Sequence, residues 1–201
     1  MKIASLQTKE PISDSLLWLN FKNGSGDALS ELMRRYFRSL LQYGTKFTKN
    51  KSLIEDTIQD LFLELLERRA YLSTPTSVKN YLFKALRNNL IRAINKNNLS
   101  ISFLEQEDDW MIEPENIELT LLQEDDSKEI LLKLNKYFQL LTKRQREALH
   151  LRYFEDLSHD EISLIMDINK QSVSNLLQQS ITIIRSNWIF SLIFFILLKT
   201  K

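Results

Sequence analysis

Cysteine is absent from this chain of 201 residues, and histidine occurs only twice, as His150 and His159. Without cysteine there are no disulfides, thiolate metal sites or cysteine nucleophiles, which is typical of proteins in the reducing cytoplasm. Two histidines give little material for a metal centre or a catalytic triad. The first residues also lack the apolar core of a signal peptide. We therefore expect a cytoplasmic protein that uses no metal or cofactor and is not an enzyme.

Residues that break helices are also scarce, because the chain has three glycines and three prolines, while 43% of its residues are hydrophobic. Apolar residues recur at helical spacing over long stretches, and no stretch alternates apolar and polar residues as a half-buried strand does. These patterns predict an all-α fold. The length suits one or two small domains.

The near-neutral net charge of +1 conceals an uneven distribution of charged residues. Residues 27–98 carry 13 basic and 7 acidic side chains, and residues 130–185 carry 8 and 6. Residues 99–129 instead carry 1 basic and 11 acidic side chains. This uneven distribution of charge indicates surfaces that bind different partners. Together with the helical patterns, this distribution predicts a helical domain at residues 1–98 and an acidic linker at residues 99–129. A second helical domain follows at residues 130–186, and an apolar tail at residues 187–201.

Three helices are predicted before residue 70. The first covers residues 11–22 with Ser13 or Asp14 as its cap, and Asp27 caps the second. The third follows a break at residues 50–52 and has a broad apolar face, for which we predict burial of Ile54, Ile58, Leu61, Phe62, Leu65 and Leu66. Its opposite face is acidic and amidic, with Glu55, Asp56, Gln59 and Asp60. By itself, such a patch is usually an ordinary solvated helix surface.

A further helix begins at Val78 and is expected to bury Tyr81, Leu82, Ala85, Leu86 and Leu90. Its other faces carry Lys79, Phe83, Lys84, Arg87, Asn88 and Arg92. Cations beside an exposed aromatic and an amide are typical of sites for single-stranded nucleic acid, since cations follow phosphates while rings and amides contact unstacked bases. The alternative is a basic helix surface with Phe83 half-buried.

Two capping boxes occur close together near the end of the chain, Thr142 with Gln145 and Ser158 with Glu161. A short helix follows Ser158, and its apolar residues are Ile162, Ile165 and Met166. A break at residues 167–169, with Asp167 where glycine is usual, precedes a helix whose predicted inward residues are Val173, Leu177, Ile181 and Ile184. This spacing predicts a helix-turn-helix, although a helical hairpin in a bundle has the same pattern.

From Ser13 to Arg185 the chain resembles an RNA polymerase sigma factor of the extracytoplasmic-function (ECF) group within the sigma-70 family. The resemblance rests on four pieces in order: DALSELMRRYF, LIEDTIQDLFLELLERR, VKNYLFKALRNNLIRAINK and LLTKRQREALHLRYFEDLSHDEISLIMDINKQSVSNL. It implies a protein that binds core RNA polymerase through the clamp of the largest subunit and through the flap. Such a protein directs the enzyme to promoters and helps to melt the minus-ten element. An inhibitory anti-sigma factor is a further partner of many relatives.

The resemblance also assigns residues. It implies core-polymerase contacts for Asp56, Gln59, Asp60 and Phe62. For the minus-ten strand it implies Lys79, Phe83, Lys84, Arg87, Asn88 and Arg92, with Asn88 in a pocket for a flipped base. For the minus-thirty-five duplex it implies Arg144, Arg152, Lys170, Gln171, Ser172, Ser174, Asn175, Gln178 and Gln179.

The predicted recognition helix departs from the family because only Lys170 and Arg185 provide cations there. Its amides can still read adenine edges. A helix-turn-helix regulator that acts without core polymerase is the alternative function. For the apolar residues 188–198 we expect packing on the protein itself or on a partner such as an anti-sigma factor, and contact with a membrane surface is the alternative.

Overall fold

The computed structural model describes residues 12–100 and 138–199, with the backbone alone for residues 97–100 and 187–199. Within these ranges every regular element is helical, which confirms the all-α prediction. A single 3-10 turn, Arg69–Tyr71, accompanies the α-helices. These are α1 (Asp14–Lys22), α2 (Gly26–Gly44), α3 (Lys51–Glu67), α4 (Val78–Ser100), α5 (Lys143–Tyr153), α6 (His159–Met166) and α7 (Lys170–Lys199). The acidic side chains of the predicted linker and most of a helix expected from 121 to 140 lie outside the described residues.

Helices α1 to α4 form a first module in which α2 contacts the other three helices. Trp18 of α1 is fully buried, and its indole N–H donates to the carbonyl oxygen of Ser73 at 3.2 Å. Its ring also meets Tyr81 of α4 edge-on, with the ring centroids 5.2 Å apart. Trp18 therefore joins α1 to both α4 and the loop that precedes α4.

The first three helices begin at side chains that accept hydrogen bonds from otherwise unpaired backbone N–H groups. Ser13, one of the two caps predicted for the first helix, caps α1, and Asn50 caps α3 at the predicted break. The prediction that Asp27 caps α2 is wrong. The cap is Ser25, because Gly24 turns the chain at φ 108° and the Ser25 hydroxyl then accepts from the backbone N–H of Ala28.

Helices α5 to α7 form a second module that contains the predicted helix-turn-helix. Both capping boxes are present at α5 and α6. The left-handed turn residue after α6 is Asp167, with φ 54° and ψ 50°, a conformation that aspartate tolerates better than most residues. Behind the turn, Ile162, Ile165, Val173 and Leu177 are buried between the helices.

The last helix runs without interruption from Lys170 to Lys199, 30 residues, so the apolar tail continues the recognition helix. The expected contacts of residues 188–198 concern side chains that lie outside the described residues. In the part of the chain that is described, no helix combines the length and the apolar character needed to cross a membrane.

The two modules pack against one another. Helix α6 lies along α4, and α5 touches α2. The buried apolar side chains of both modules belong to one cluster.

Several burial predictions are wrong. Leu66 was expected inside but is 47% exposed, because the buried stripe of α3 ends at Leu65. Phe83 was expected on the surface but is fully buried, and its ring packs against Tyr43 of α2. Ile181 and Ile184 are half-buried rather than inward, because they lie beyond Ser180, the last fully buried residue among the described side chains of this helix.

Gly44→Ala should destabilise the first module. A Cβ at this position would lie 2.2 Å from Cγ2 of the buried Ile54, so α2 and α3 would have to separate. Overpacking of this kind costs about 1–3 kcal/mol. Urea unfolding followed by circular dichroism measures the loss. Gly26→Ala is the matched control, because a Cβ there meets nothing within 4 Å; equal midpoints for the two variants would contradict the prediction.

Candidate nucleic-acid and polymerase interfaces

Helix α4 separates the six predicted minus-ten residues into two rows. The first, which we call the inner row, comprises Lys79, Phe83 and Arg87. Lys79 and Arg87 pair with the second module, and Phe83 between them packs on Tyr43 of α2. The second, which we call the outer row, comprises Lys84, Asn88 and Arg92 and is exposed. Residues four apart share one face of a helix, so each row runs along the axis. The sequence placed all six on one functional surface, whereas the structure makes only the outer row available.

The inner row is paired with acidic residues of the second module. Nζ of Lys79 lies 2.9 Å from Oε2 of Glu155 and donates to the Glu155 carbonyl oxygen at 2.7 Å. The neighbouring Asn80 donates through Nδ2 to Oε1 of Glu161 at 3.0 Å. The same Glu161 closes the capping box of α6, so the start of α6 is fixed against α4.

Arg87 forms the most buried contact of this row. Its Nε lies 2.7 Å from Oε1 of Glu147, and only 11% and 5% of the two side chains is exposed. The hydroxyl of Tyr43 donates to the same oxygen at 2.7 Å. Phe83 packs against the Tyr43 ring, with the centroids 5.1 Å apart. One carboxylate of α5 therefore joins α2 and α4.

His150 lies in the same buried region. Its ring stacks on Tyr43 and on Phe154, with centroids 5.8 and 5.3 Å away. Burial lowers the pKa of His150 below its usual range, although Nε2 is 3.4 Å from Oε1 of Glu155. Burial opposes ionisation of Glu155, but the nearby His150 ring and the Lys79 ammonium outweigh it and lower the pKa of this carboxyl. Burial raises the pKa of Tyr43, and Glu147 adds to this effect.

The outer row borders a cleft of about 250 Å³ between α3, the 3-10 turn and α4. Its floor is apolar and includes Leu61, Leu65 and Leu72. Its polar lining contains all three outer-row residues together with Asn89, Arg68 and Glu64. Cations, amides and an apolar floor in one concave site suit a planar polar ring attached to a phosphate.

The sequence analysis missed three of these polar lining residues, which are Asn89, Arg68 and Glu64. Nη2 of Arg92 donates to Oδ1 of Asn89 at 2.7 Å, and Arg68 pairs with Glu64 at 2.8 Å across one turn of α3. Arg68 belongs to a different helix, and no sequence pattern connects it with α4. The adjacent pair Asn88-Asn89 was a visible signal, since neighbouring amides at a cleft can contact one ligand.

The acidic face of α3 is accessible as predicted for Asp56, Gln59 and Asp60. The fourth predicted contact, Phe62, is only 5% exposed. Its side chain belongs to the core and packs beneath the exposed face of α3. Leu63, 56% exposed, lies one turn after Asp60 and was missed. The structure therefore brings together three polar side chains and one exposed leucine.

The helix-turn-helix presents a row of amides at the start of α7. Gln171 donates through Nε2 to Oδ1 of Asn175 at 3.0 Å, and Gln178 and Gln179 are exposed. Lys170 pairs with Asp160 at 2.8 Å. Ser172 and Ser174 are half-buried, and the N–H of Ser172 donates to Asn169.

The two predicted arginine contacts of this module differ in position. Arg144 is exposed in the first turn of α5. Arg152 instead donates through Nη1 to the Leu157 carbonyl oxygen at 2.9 Å and lies 4.0 Å from Asp156, so it supports the loop between α5 and α6. Among the described residues there is no group of three or more histidine, cysteine, aspartate or glutamate residues that could hold a metal ion.

Two helical modules, the second with a helix-turn-helix, are also the architecture of solved sigma factors. CnrH in complex with the cytosolic domain of CnrY has a TM-score of 0.59 and 14% identity, covering 86% of this chain and 95% of that one. The sigma factor RpoE in complex with the anti-sigma factor NepR from Bartonella quintana has a TM-score of 0.60 and 16% identity. The match covers 79% of this chain and 95% of that one. At these identities the similarity shows the fold alone.

Sequence comparison identifies the family. The model of sigma-70 region 2 matches residues 32–99, and that of sigma-70 region 4 matches residues 131–182. The ECF RNA polymerase sigma factor SigM of Bacillus subtilis (strain 168) is 26% identical over 153 residues, which is 74% of this chain and 88% of the relative. The chain therefore belongs to the sigma-70 family, in its ECF group. Proteins of this kind direct RNA polymerase to promoters, and this chain is a sigma factor with that function.

Acidification should lower the free energy of unfolding of the second module, because the buried His150 takes up a proton more readily once the module unfolds. Its pKa is lowered in the folded state, so unfolding takes up a proton as the pH falls below the ordinary value of 6.5. The stability is complete above that pH and decreases below it, by at most about 1.4 kcal/mol per pH unit for one proton. Glu155, also with a lowered pKa, adds its own loss only below its ordinary value of 4.5.

Melting temperatures between pH 7.5 and 5.0 measure this effect. His150→Phe, which keeps a ring between Tyr43 and Phe154, should show a flatter profile than the unsubstituted chain. Parallel profiles would show that His150 does not cause the loss.

Proposed function

We propose that the two modules divide the work of the sigma factor. The first, residues 1–98, binds core polymerase through α3 and captures a melted minus-ten strand in the cleft. The second, residues 130–186, reads the minus-thirty-five duplex through α7. The observation that carries this assignment is the cleft itself, because the exposed outer row of α4 meets an apolar floor there. Residues 99–129 connect the modules as an acidic linker.

The cleft suits one extrahelical base. Its volume of about 250 Å³ is below the ~300–1,000 Å³ of pockets for drug-sized ligands, so a ligand as small as a single base matches it. The amides of Asn88 and Asn89 can hydrogen-bond the edge of the base, and Lys84 and Arg92 can contact flanking phosphates. Because the site accepts only an unstacked base, its binding free energy favours strand opening.

The exposed face of α3 suits a protein partner. Asp56, Gln59 and Asp60 supply polar contacts, and Leu63 supplies an exposed apolar side chain in their midst. Interfaces of this kind combine a small apolar centre with a polar rim. The corresponding helix of the family docks on the polymerase clamp, which is the partner that we assign here.

The amide row of α7 suits duplex DNA. Glutamine and asparagine can pair bidentately with adenine in the major groove, each pair discriminating by about 1–3 kcal/mol. Lys170 and Arg144 can contact phosphates. With so few cations near α7, duplex affinity of the free protein should be low, since phosphate contacts supply most non-specific affinity. Binding to polymerase then provides the remaining free energy.

We also infer that the chain acts by binding alone, in the cytoplasm with its polymerase, and that it accepts an anti-sigma factor. Two solved proteins of this fold are complexed with such a protein or with a cytosolic domain, which supports a partner of this type. A regulator that acts without polymerase explains α7 but gives the α3 face and the cleft no purpose. Run-off transcription with core enzyme and a promoter library tests the proposal. A chain that leaves the start sites of core polymerase unchanged would refute it.

Asp60→Ala and Leu63→Ala should each weaken binding to core polymerase by about tenfold, which is about 1.4 kcal/mol. Both side chains are exposed, so the fold should be unaffected. Titration of labelled protein with core enzyme measures the affinity. Asp27→Ala removes an exposed carboxylate of α2 and should change nothing. Equal affinity for all three variants would contradict the assignment of α3.

Asn88→Ala should reduce promoter opening about tenfold while affinity for core polymerase is preserved. The variant loses an amide that binds the unstacked base, so permanganate reactivity of melted thymines should fall. On a template with a pre-melted bubble the deficit should shrink, because unstacking no longer opposes binding. Asn95→Ala, an exposed asparagine of α4 outside the cleft, is the control. If the deficit is the same on both templates, Asn88 does not capture a melted base.

A further inference from the structure

The last helix continues well past the part of it that is packed in the second module. Helix α7 ends at Lys199, whereas Ser180 is its last fully buried residue among the described side chains. No glycine or proline occurs between these two positions, so the helix has no residue at which it would readily turn back onto α5 or α6. At 1.5 Å per residue, the 19 residues from 181 to 199 extend about 28 Å. The apolar tail is therefore a straight continuation of the recognition helix.

Residues 188–198 of this helix have no polar face. Ten of these eleven residues are aromatic or aliphatic, and Ser191 is the exception. A helix that packs on one partner has an apolar stripe and a polar face opposite to it, whereas a helix that is apolar all round requires an apolar environment on all sides. A second copy of the chain or a single partner helix would cover one face and leave the others in water. The composition therefore favours lipid over a protein partner.

The charges on either side of this segment are complementary to an anionic lipid surface. Arg185 precedes the segment, and Lys199 and Lys201 follow it. No aspartate or glutamate occurs after Asp167, so residues 168–201 carry positive charges only. Negatively charged headgroups attract lysine and arginine beside an apolar helix. Trp188, the first residue of the segment, is of a type that is enriched at the boundary between membrane and water.

The length of the segment determines how it can enter a membrane. Its eleven residues measure about 16 Å as a helix, which is about half of the ~30 Å hydrocarbon core of a bilayer. End-on insertion would therefore bring Lys199 to the centre of the bilayer, where a charged side chain is strongly unfavourable. A helix that lies in the plane of the membrane surface instead keeps the charged residues at both ends among the headgroups.

We propose that residues 188–198 bind the surface of an anionic membrane, with the helix in the plane of the headgroups, and thereby hold this sigma factor at the membrane. The apolar segment and its flanking cations supply the two signals that stable membrane binding requires. Of the interpretations that the sequence allows for this segment, the unbroken helix and its uniform charge favour this one. The inference goes beyond the proposed function, because it involves neither polymerase nor DNA.

Vesicle flotation of the full-length protein tests the proposal, because bound protein rises with the lipid whereas aggregated protein sinks. The unsubstituted chain should float with vesicles of phosphatidylethanolamine that contain about one third phosphatidylglycerol. Its affinity for vesicles of phosphatidylcholine, which carry no net charge, should be about tenfold lower. Phe194→Asp should lower the affinity for the anionic vesicles by at least about tenfold, because it places a charge within the apolar segment.

Leu164→Asp is the matched control. Leu164 is a leucine of α6 that is 61% exposed, so this change adds a carboxylate in place of an apolar side chain outside the segment. The variant should float as the unsubstituted chain does. Equal flotation of Phe194→Asp and Leu164→Asp would overturn the proposal. A chain that forms dimers through residues 188–198 and does not float would also overturn it.

Spin labels on either side of the segment test its orientation. The chain has no cysteine, so Ser186→Cys and Thr200→Cys can each carry one label without background labelling. Power saturation of the vesicle-bound protein should place both labels at the depth of the headgroups, and a label at residue 200 near the bilayer centre would overturn the in-plane arrangement. Run-off transcription without lipid should be equal for Phe194→Asp and the unsubstituted chain, which distinguishes loss of membrane binding from loss of sigma-factor function.

Discussion

The carboxylate of Glu147 is the group on which the arrangement of the two modules most depends. It accepts hydrogen bonds from Arg87 and from Tyr43, so α2, α4 and α5 meet at one nearly buried charge. Breaking such a buried pair from one side costs about 3–5 kcal/mol, since the remaining charge is left without compensation. The closed arrangement therefore requires all three side chains together, and none of the three helices specifies it alone.

That constraint determines which of the candidate surfaces face solvent when the two modules are packed together. Carboxylates of the second module pair with Lys79 and Arg87 of the inner row, and the outer row remains beside an open cleft. On the second module the amides of α7 face solvent. The protein thus combines two accessible surfaces of low positive charge with a third that its own carboxylates cover.

Local features of the sequence were predicted well because their causes lie within a few residues. The capping boxes at Thr142 and Ser158 and the left-handed turn at Asp167 each depend on neighbours three or four positions away. Burial predictions were wrong where a distant element decides. Phe83 resembles an exposed residue by its helical phase, yet it is buried against Tyr43 of α2, 40 positions away. Arg68 joins the cleft only because α3 and α4 pack side by side.

The sequence by itself determined the helical fold, the helix-turn-helix and the two polar faces of α3 and α7, since spacing, caps and composition are properties of short segments. Only the tertiary structure decided that the six candidate residues of α4 form two rows with different environments. Burial of a charge depends on which carboxylate lies opposite. That partner is separated from Arg87 by 60 positions, a distance over which periodicity carries no information.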